Sequence, residues 1–563
     1  MRNRRDDMKK AALADIRDFS LLAPEGEKSS FELNENAAND LSIDYIAEHA
    51  ARNAPEKEIL KRILLNIPTS RRGIEYRRAV YSELREDKKL CEELYYIFDS
   101  MSFYFSDRPN HVGEGSTVYD LLDRLKSLES YSQSVLKIID VIKGREFKSE
   151  GMKTFAEYVS SIYNSSGFDE FVKDISIIGD DVSNVKSMTI GVNLDAMFYP
   201  KEAGIISLNK YFFTRQSILK RFLNFHSRDQ LTDKELVPFT MEMHKEGLDW
   251  IEKKYTGLPS PTNRATDSPL MNNLNSIIER MLPSMTSKLK RVLAKYVDVS
   301  GKALAQLADE LLFYLRFIEL EEKLTALGMP CCTGEFSEGD TVLKDFYNLK
   351  LAICRLKGTV TDDIVCNDME FTNEKTVQIL TGPNRGGKTI LTQGIGLVFL
   401  MYQCGVFVPA ASAAIRPCDG IYTHFPVEEE RTVSLGRLGE EAERFNEICK
   451  TAGSESLLLM NESFATTSHT ESLYIAEDAL KYLCCTGVRT CFNTHMHELA
   501  ENADSYGKTE KAVCKAVSVV MESGNGERSY KISYKSPDGK SYAHDIAYKF
   551  GITFEQLMDK RKK

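Results

Sequence analysis

Over roughly the first 345 residues, apolar positions recur with the spacing of one-faced helices. From Val118 to Ile142 they fall at 118, 121, 122, 125, 128, 135, 138, 139 and 142, a stripe that predicts a single helix packed in a bundle. Between Gly301 and Leu327 a second stripe runs through Leu304, Leu307, Leu311, Leu315, Ile318 and Leu324, and the "GMP" that follows supplies a C-terminal Gly and a Pro stop. Two long helices so far apart in sequence predict an elongated, lever-like helical region. Between them, Ser187–Leu194 and Gly204–Lys210 read as short strands, and Thr256–Pro269, rich in Pro, Ser and Thr, as a mobile loop. No internal repeat is visible.

After about residue 345 strands begin to alternate with helices. Val377–Leu380, Leu457–Met460 and Thr490–Asn493 read as short strands, and Ala516–Met521 and Tyr530–Tyr534 flank "SGNG" as a hairpin. That alternation predicts an α/β domain with a mainly parallel sheet, so the fold class expected for the chain is α+β and multidomain.

Composition changes this picture little. At 563 residues and 42% hydrophobic content the chain can bury several cores, and a net charge of −10 means that any nucleic-acid contact must come from a local patch. The twelve cysteines stand singly or as adjacent pairs, with no spacing that would hold zinc. They read as reduced thiols in a cytoplasmic protein. The basic start has no apolar core behind it, and the most apolar stretch, 395–408, is too short to span a bilayer, so no membrane segment and no export are expected.

The chemistry is in the second half. "TGPNRGGKT" fits G-x-x-x-x-G-K-[ST] at Gly382, Gly387, Lys388 and Thr389, after the apolar strand "VQIL" and before the apolar helix "ILTQGIGLVFLMY". Glycines let backbone N–H groups face phosphates, Lys388 reaches the terminal phosphates, and Thr389 binds Mg²⁺. Pro383, Asn384, Gly386 and Ile390 belong to the same cradle. A GTPase would carry N-K-x-D near a strand end; the Asn-Lys pair here, Asn209–Lys210, lies far upstream and continues differently. ATP with Mg²⁺ is the expected ligand. Glu462 ends the apolar strand "LLLMN", where a carboxylate can orient or deprotonate water, and His495 ends another; a lone strand-end Glu or His also reads as structural.

In order and spacing these motifs resemble the MutS mismatch-repair ATPase family. "TGPNRGGKT" is similar to its P-loop, "VFVPAASAAIRPCDGIYTHF" to the strand and turn that follow, "SLLLMNESFATTS" to its Walker B and D-loop, "NTHMHELAE" to its switch histidine and "SYAHDIAYKFGIT" to its closing helix. Together they cover most of residues 364–555. "ELNENAANDL" and "ILKRILLNIP" resemble more faintly the start of the family's core and levers. The resemblance implies an N-terminal segment at 1–30, a helical core and lever region at 31–345 with a clamp-like insertion around 185–295, and an ATPase and dimerisation domain at 346–563. It leaves no room for the family's mismatch-reading and connector domains, so the chain is not expected to read mismatches itself. It also implies a homodimer in which a signature segment, here "VSLGRLGEEAERF", meets the partner's nucleotide through Ser434 and Gly436; Leu438 stands where the family has a serine. Ile364 is placed where the family packs adenine.

One departure is central: Asn461 precedes Glu462 where the family has Asp. Asn keeps one acceptor for the Mg²⁺ shell and loses the charge, which at about 4 Å and an effective dielectric near 20 is worth at most roughly 4 kcal/mol, or about a thousandfold in Mg²⁺ affinity. Slow or Mg²⁺-hungry hydrolysis is expected. DNA contact of low sequence specificity is implied by the resemblance, through Lys220 and Arg221 in one basic stretch and Lys288, Lys290 and Arg291 in another, although helix surfaces commonly carry such charges. The leading expectation is a DNA-binding ATPase clamp in mismatch repair or recombination-type maintenance. A catalytically weak, ATP-held switch or scaffold is the alternative. An ABC-type ATPase is disfavoured by the lack of LSGGQ, of a membrane segment and of coiled-coil arms. Protein partners are not readable.

Overall fold

A computed structural model describes residues 19–27, 29–105, 116, 118–165, 167–183, 186–198, 200–210, 212, 283–296, 299, 301–383, 387–426, 437–465, 468–524, 527–537 and 552–561. The chain divides into two compact units, one comprising Met1–Arg17, Tyr96–Arg145 and Ala156–Ala308, the other Asp18–Tyr95, Glu146–Phe155 and Asp309–Lys563. The expected loop Thr256–Pro269, most of the closing-helix stretch 541–553 and the first eighteen residues lie outside the described residues.

In the first unit the helix Val118–Ile142 has the bounds its stripe predicts, with Leu121, Leu125, Leu128, Val135 and Ile138 fully buried. It packs against the helices Phe168–Ser183 and Pro283–Leu293. Tyr131, Phe171 and Tyr296 form an aromatic chain across that packing. Buried Arg124 donates to the carbonyls of Tyr296 and Val299 at 2.9 and 2.6 Å, satisfying backbone acceptors where the third helix ends. The two expected strands pair antiparallel as Ser187–Leu194 with Pro200–Asn209.

In the second unit, helices Glu35–Asp40, Ala54–Leu65 and Arg71–Glu86 start at Asn34, Asn53 and Ser70, each of which accepts a backbone N–H from the first turn. Lys302–Ala326 is the second long helix, and from Asp309 onward it lies in this unit. Its Arg316, 2% exposed, holds both carboxylate oxygens of Glu56 at 2.8 Å. Two sheets follow. The smaller, four-stranded sheet is built from β1 (Glu335–Phe336), β2 (Thr341–Phe346), β3 (Asn367–Phe371) and β5 (Ser412–Ile415) in the order β1-β5-β2-β3, with α1 (Leu349–Leu356) between β2 and β3.

The larger, six-stranded sheet contains β4 (Val377–Thr381), β6 (Ile421–His424), β7 (Leu457–Asn461), β8 (Arg489–Asn493), β9 (Ala516–Gly524) and β10 (Glu527–Ser533), ordered β6-β7-β8-β4-β9-β10. All neighbours are parallel except the β9–β10 hairpin. Every residue of β4, β7 and β8 is buried, the pattern of strands covered on both faces. The covering helices are α2 (Lys388–Gln403), α3 (Arg437–Thr451), α4 (His469–Thr486), and the short α5 (His497–Glu501) and α6 (Ala503–Tyr506). Gly396 of α2 lets the helix approach both Leu41 and Leu459: an added Cβ would lie 2.6 and 2.7 Å from their methyls. The segment Asp18–Tyr95 is thus packed directly on the helix that follows the P-loop, which Gln393 reinforces by donating to Asp40 O at 2.8 Å.

Removing Arg316 leaves the Glu56 carboxylate buried without its cation. The variant Arg316→Met should lose about 3–5 kcal/mol in urea unfolding, and Arg316→Met with Glu56→Met should recover most of that loss. Equal losses in both variants would contradict the pairing.

Candidate functional site

The P-loop joins β4 to α2. Gly382 sits at φ +147°, where an added Cβ would meet Met521 at 2.7 Å, and Gly387 at φ +89° caps α2; both positions require the freedom of glycine. Lys388 is 5% exposed, and its ammonium donates to the carbonyls of Gly382 and Pro383 at 3.1 and 3.3 Å. Burial lowers its pKa below the usual lysine value, while Glu462 opposes the shift. A desolvated ammonium held by neutral carbonyls, at the N-terminus of a sixteen-residue helix, favours an anion. Asn384 and Gly386 lie outside the described residues. Ile390 is 40% exposed at the start of α2, its carbonyl accepting from Asn348. Ile364 is half-buried in the loop before β3.

The sheet order brings the next three residues together. Because β8 lies between β4 and β7, its last residue, Asn493, pairs in register with Asn461. Asn461 Oδ1 accepts from Thr389 Oγ1 at 2.9 Å and from Asn493 Nδ2 at 2.5 Å. Both lone pairs of that oxygen are therefore used inside the protein. Asn493 Oδ1 is fully buried and has no hydrogen-bond partner among the described residues. Such an acceptor suits the water shell of a cation, and the donor set of Thr389, Asn461 and Glu462 is all oxygen, as Mg²⁺ prefers. The residues present fit a triphosphate with a hydrated Mg²⁺.

Glu462 follows Asn461 in a tight turn. Its φ is +50° and that of Phe464 is +66°, two left-handed non-glycine residues within three positions. The Glu462 amide donates to Asn493 O at 2.8 Å. Its carboxylate lies 2.7 Å from His495 Nε2, and that hydrogen bond holds the carboxyl below the ordinary glutamate pKa against the effect of burial. Both side chains remain partly exposed, at 37% and 41%. The structure thus brings Lys388, Thr389, Asn461, Glu462 and His495 to one end of the sheet.

Ser434 and Gly436 lie outside the described residues, and so do Lys220 and Arg221. Leu438 stands in the first turn of α3. Lys288, Lys290 and Arg291 are on the helix Pro283–Leu293, whose Leu289, Val292 and Leu293 are buried; this is the first unit, whereas the nucleotide site is in the second.

The sequence reading passed over five residues. Asn493 stands at a predicted strand end but acquires a role only through strand order. Glu441, His424 and Ser463 hold the Glu462 turn from its far side. Tyr530 is a fifth oversight: at φ +55° it turns its ring toward Gly387, with its backbone carbonyl fixed by Asn367.

Comparison with known proteins agrees with this architecture. The model of MutS domain V matches residues 378–559 and that of the MutS2 N-terminal domain matches residues 69–327. The chain is 26% identical over 315 residues to a DNA mismatch repair protein MutS of Clostridium kluyveri, covering 54% of this chain and 36% of that protein. It is 32% identical over 212 residues to an endonuclease MutS2 of Streptococcus equi, covering 38% and 26%. With an endonuclease MutS2 of a Geobacillus strain it shares 28% over 286 residues, 51% and 33%. The chain spans about a third or less of the length of these relatives.

Replacing His495 by alanine removes the hydrogen bond that depresses the Glu462 pKa and leaves the burial that raises it. The carboxyl pKa should therefore rise and its ionised fraction near about pH 5 should fall. Carbon-13 NMR titration of glutamate-labelled protein, with Glu462→Gln to assign the signal, reads the shift; an unchanged titration would contradict the assigned cause.

Proposed function

The chain belongs to the MutS family, and on that premise we propose that it binds and slowly hydrolyses ATP as a DNA-binding homodimer, a nucleotide-driven clamp in mismatch repair or recombination-type DNA maintenance. The observation that carries the reading is the convergence of Lys388, Thr389, Asn461, Glu462 and His495 at one end of the parallel sheet. Lys388 exchanges its two carbonyl partners for phosphate oxygens, which offset the cost of its burial. The P-loop amides and the start of α2 hold the remaining phosphate charge. Glu462, kept ionised by His495, accepts the proton of the attacking water, and the strained turn fixes where that carboxylate stands. Mg²⁺, when bound with ATP, neutralises phosphate charge. Thr389 and Asn461 would hold it, Asn461 with less to offer than an aspartate, since its single oxygen already takes two hydrogen bonds.

Dimerisation and DNA binding rest on the family resemblance. The stretch 433–445 is the proposed contact with the partner's nucleotide, and Lys220, Arg221, Lys288, Lys290 and Arg291 are the proposed phosphate contacts, which would make affinity fall steeply with salt. A cytoplasmic location goes with this reading; among the described residues no helix is long and apolar enough to cross a membrane.

The test is ATP binding and hydrolysis, in single-turnover and steady-state form, with Mg²⁺ titrated and with or without duplex and branched DNA. Lys388→Ala should abolish binding, and Glu462→Gln should bind ATP but turn over about 10²–10⁴-fold more slowly. Asn461→Asp should raise turnover and lower the Mg²⁺ requirement, by up to about a thousandfold. Wild-type turnover no faster than that of Glu462→Gln, unrescued by Asn461→Asp, would instead identify an ATP-held switch or scaffold.

A further inference from the structure

Glu462 is held from two sides. On one, its amide is tied to Asn493 at the end of β8. On the other, the turn is tied to α3. The carboxylate of Glu441, 8% exposed, accepts the Phe464 N–H at 2.8 Å, and the Glu441 backbone carbonyl lies 3.0 Å from His424 Nε2. The second ring nitrogen of His424, Nδ1, is 2.7 Å from Ser463 Oγ. Burial depresses the His424 pKa to about 4, so the ring is neutral near pH 7. A neutral ring facing a carbonyl through Nε2 must carry its proton there. Nδ1 is then an acceptor, and the single Ser463 hydroxyl proton is shared between it and the His424 carbonyl, 2.9 Å from Ser463 Oγ. The rings of His424, Phe445 and Phe464 close the cluster, with centroids 5.3–5.8 Å apart.

We propose that Glu441, His424 and Ser463 are positioning residues that lock the turn carrying Glu462 to α3, so that the placement of α3 sets the placement of the water-handling carboxylate. Left-handed φ values at Glu462 and Phe464 are strained for non-glycine residues and persist only where neighbours over-determine them. The Asn493 carbonyl fixes the backbone at one end of the turn; the Phe464 amide and the Ser463 side chain are the attachments at the other. Without them the turn can relax, carrying Glu462 away from His495. Glu441 contributes from both its side chain and its main chain, so a shift of α3 moves both attachments together. The proposal rests on the reading of Glu462 given above for its effect on turnover, and on geometry alone for its effect on the turn.

The experiment uses the full chain and compares Glu441→Ala, Glu441→Gln and Ser463→Ala in two measurements: turnover against directly measured ATP affinity, and the Glu462 carboxyl titration in nucleotide-free protein. Since misplacing a reacting group by about 1 Å costs about a hundredfold in rate, Glu441→Ala should slow turnover by about ten- to a hundredfold with ATP affinity unchanged. Glu441→Gln keeps an acceptor oxygen for Phe464 and should recover most of the rate. Ser463→Ala, the mildest change, should slow turnover less, and its effect should not add to that of Glu441→Ala, because both act on one turn. In Glu441→Ala the Glu462 pKa should move upward as the His495 contact is lost. Wild-type protein that turns over while Glu441→Ala and Ser463→Ala match it, in rate and in titration, would overturn the proposal. Loss of affinity in parallel with rate would also overturn it, as the mark of general structural damage. Wild-type protein without turnover would overturn only the ATPase reading, and the titration would still decide whether Glu441 positions Glu462.

Discussion

A single amide oxygen, Oδ1 of Asn461, joins the parts of the nucleotide site. It takes one hydrogen bond from Thr389 at the start of α2 and one from Asn493 at the end of β8. Three elements that follow one another only at long intervals in the chain therefore meet at one acceptor, and the geometry of the site follows from it. The contact is possible because β8 is inserted between β4 and β7 in the sheet. A sheet with β7 directly beside β4 would bring Asn461 to Thr389 without Asn493, and the Glu462 amide would lose the carbonyl that anchors it.

Using a neutral residue at that junction has a local electrostatic consequence. With Asp at 461 the same two bonds would be charge-assisted and a second oxygen would face the metal. With Asn, the negative charge that acts on Lys388 among the described residues is Glu462, which opposes the lowering of the Lys388 pKa by burial and whose own pKa is lowered by His495. Glu462, proposed above to handle the water, therefore also carries much of the local negative charge. That makes its precise placement more consequential here than where an aspartate shares the task.

What the sequence disclosed and what it hid follow physical lines. The stripe from Val118 to Ile142 could be read because a helix buries one face at a period the chain itself displays. The P-loop was legible because its glycines serve backbone geometry: Gly382 and Gly387 both adopt φ values closed to most residues. The strand β7 showed as a continuous apolar run because both of its faces are covered, whereas β4 and β8 carry polar residues that are buried all the same. Strand order left no such trace. No local pattern states that β8 separates β4 from β7, so Asn493 looked like an ordinary strand-end asparagine. Glu441, in a helix rich in glutamate, was indistinguishable from a solvated acid until its carboxylate was found buried on the Phe464 amide. The fold of each element was written locally, whereas the site was written in the contacts between elements.

The strain in the Glu462 turn connects these points. A turn with two left-handed non-glycine residues is not what the local sequence prefers, since glycine would serve at either place at lower cost. A glycine at 462 would remove the carboxylate, and one at 464 would remove the ring that packs on His424 and Phe445. Both positions thus keep side chains whose value lies in tertiary contacts, and the backbone pays for them in conformational energy. That cost is carried by hydrogen bonds from two directions, β8 on one side and α3 on the other. The carboxylate sits where those two holds agree, so either element, by moving, alters the only acidic group that faces the phosphate cradle among the described residues of the P-loop, β7 and β8 ends.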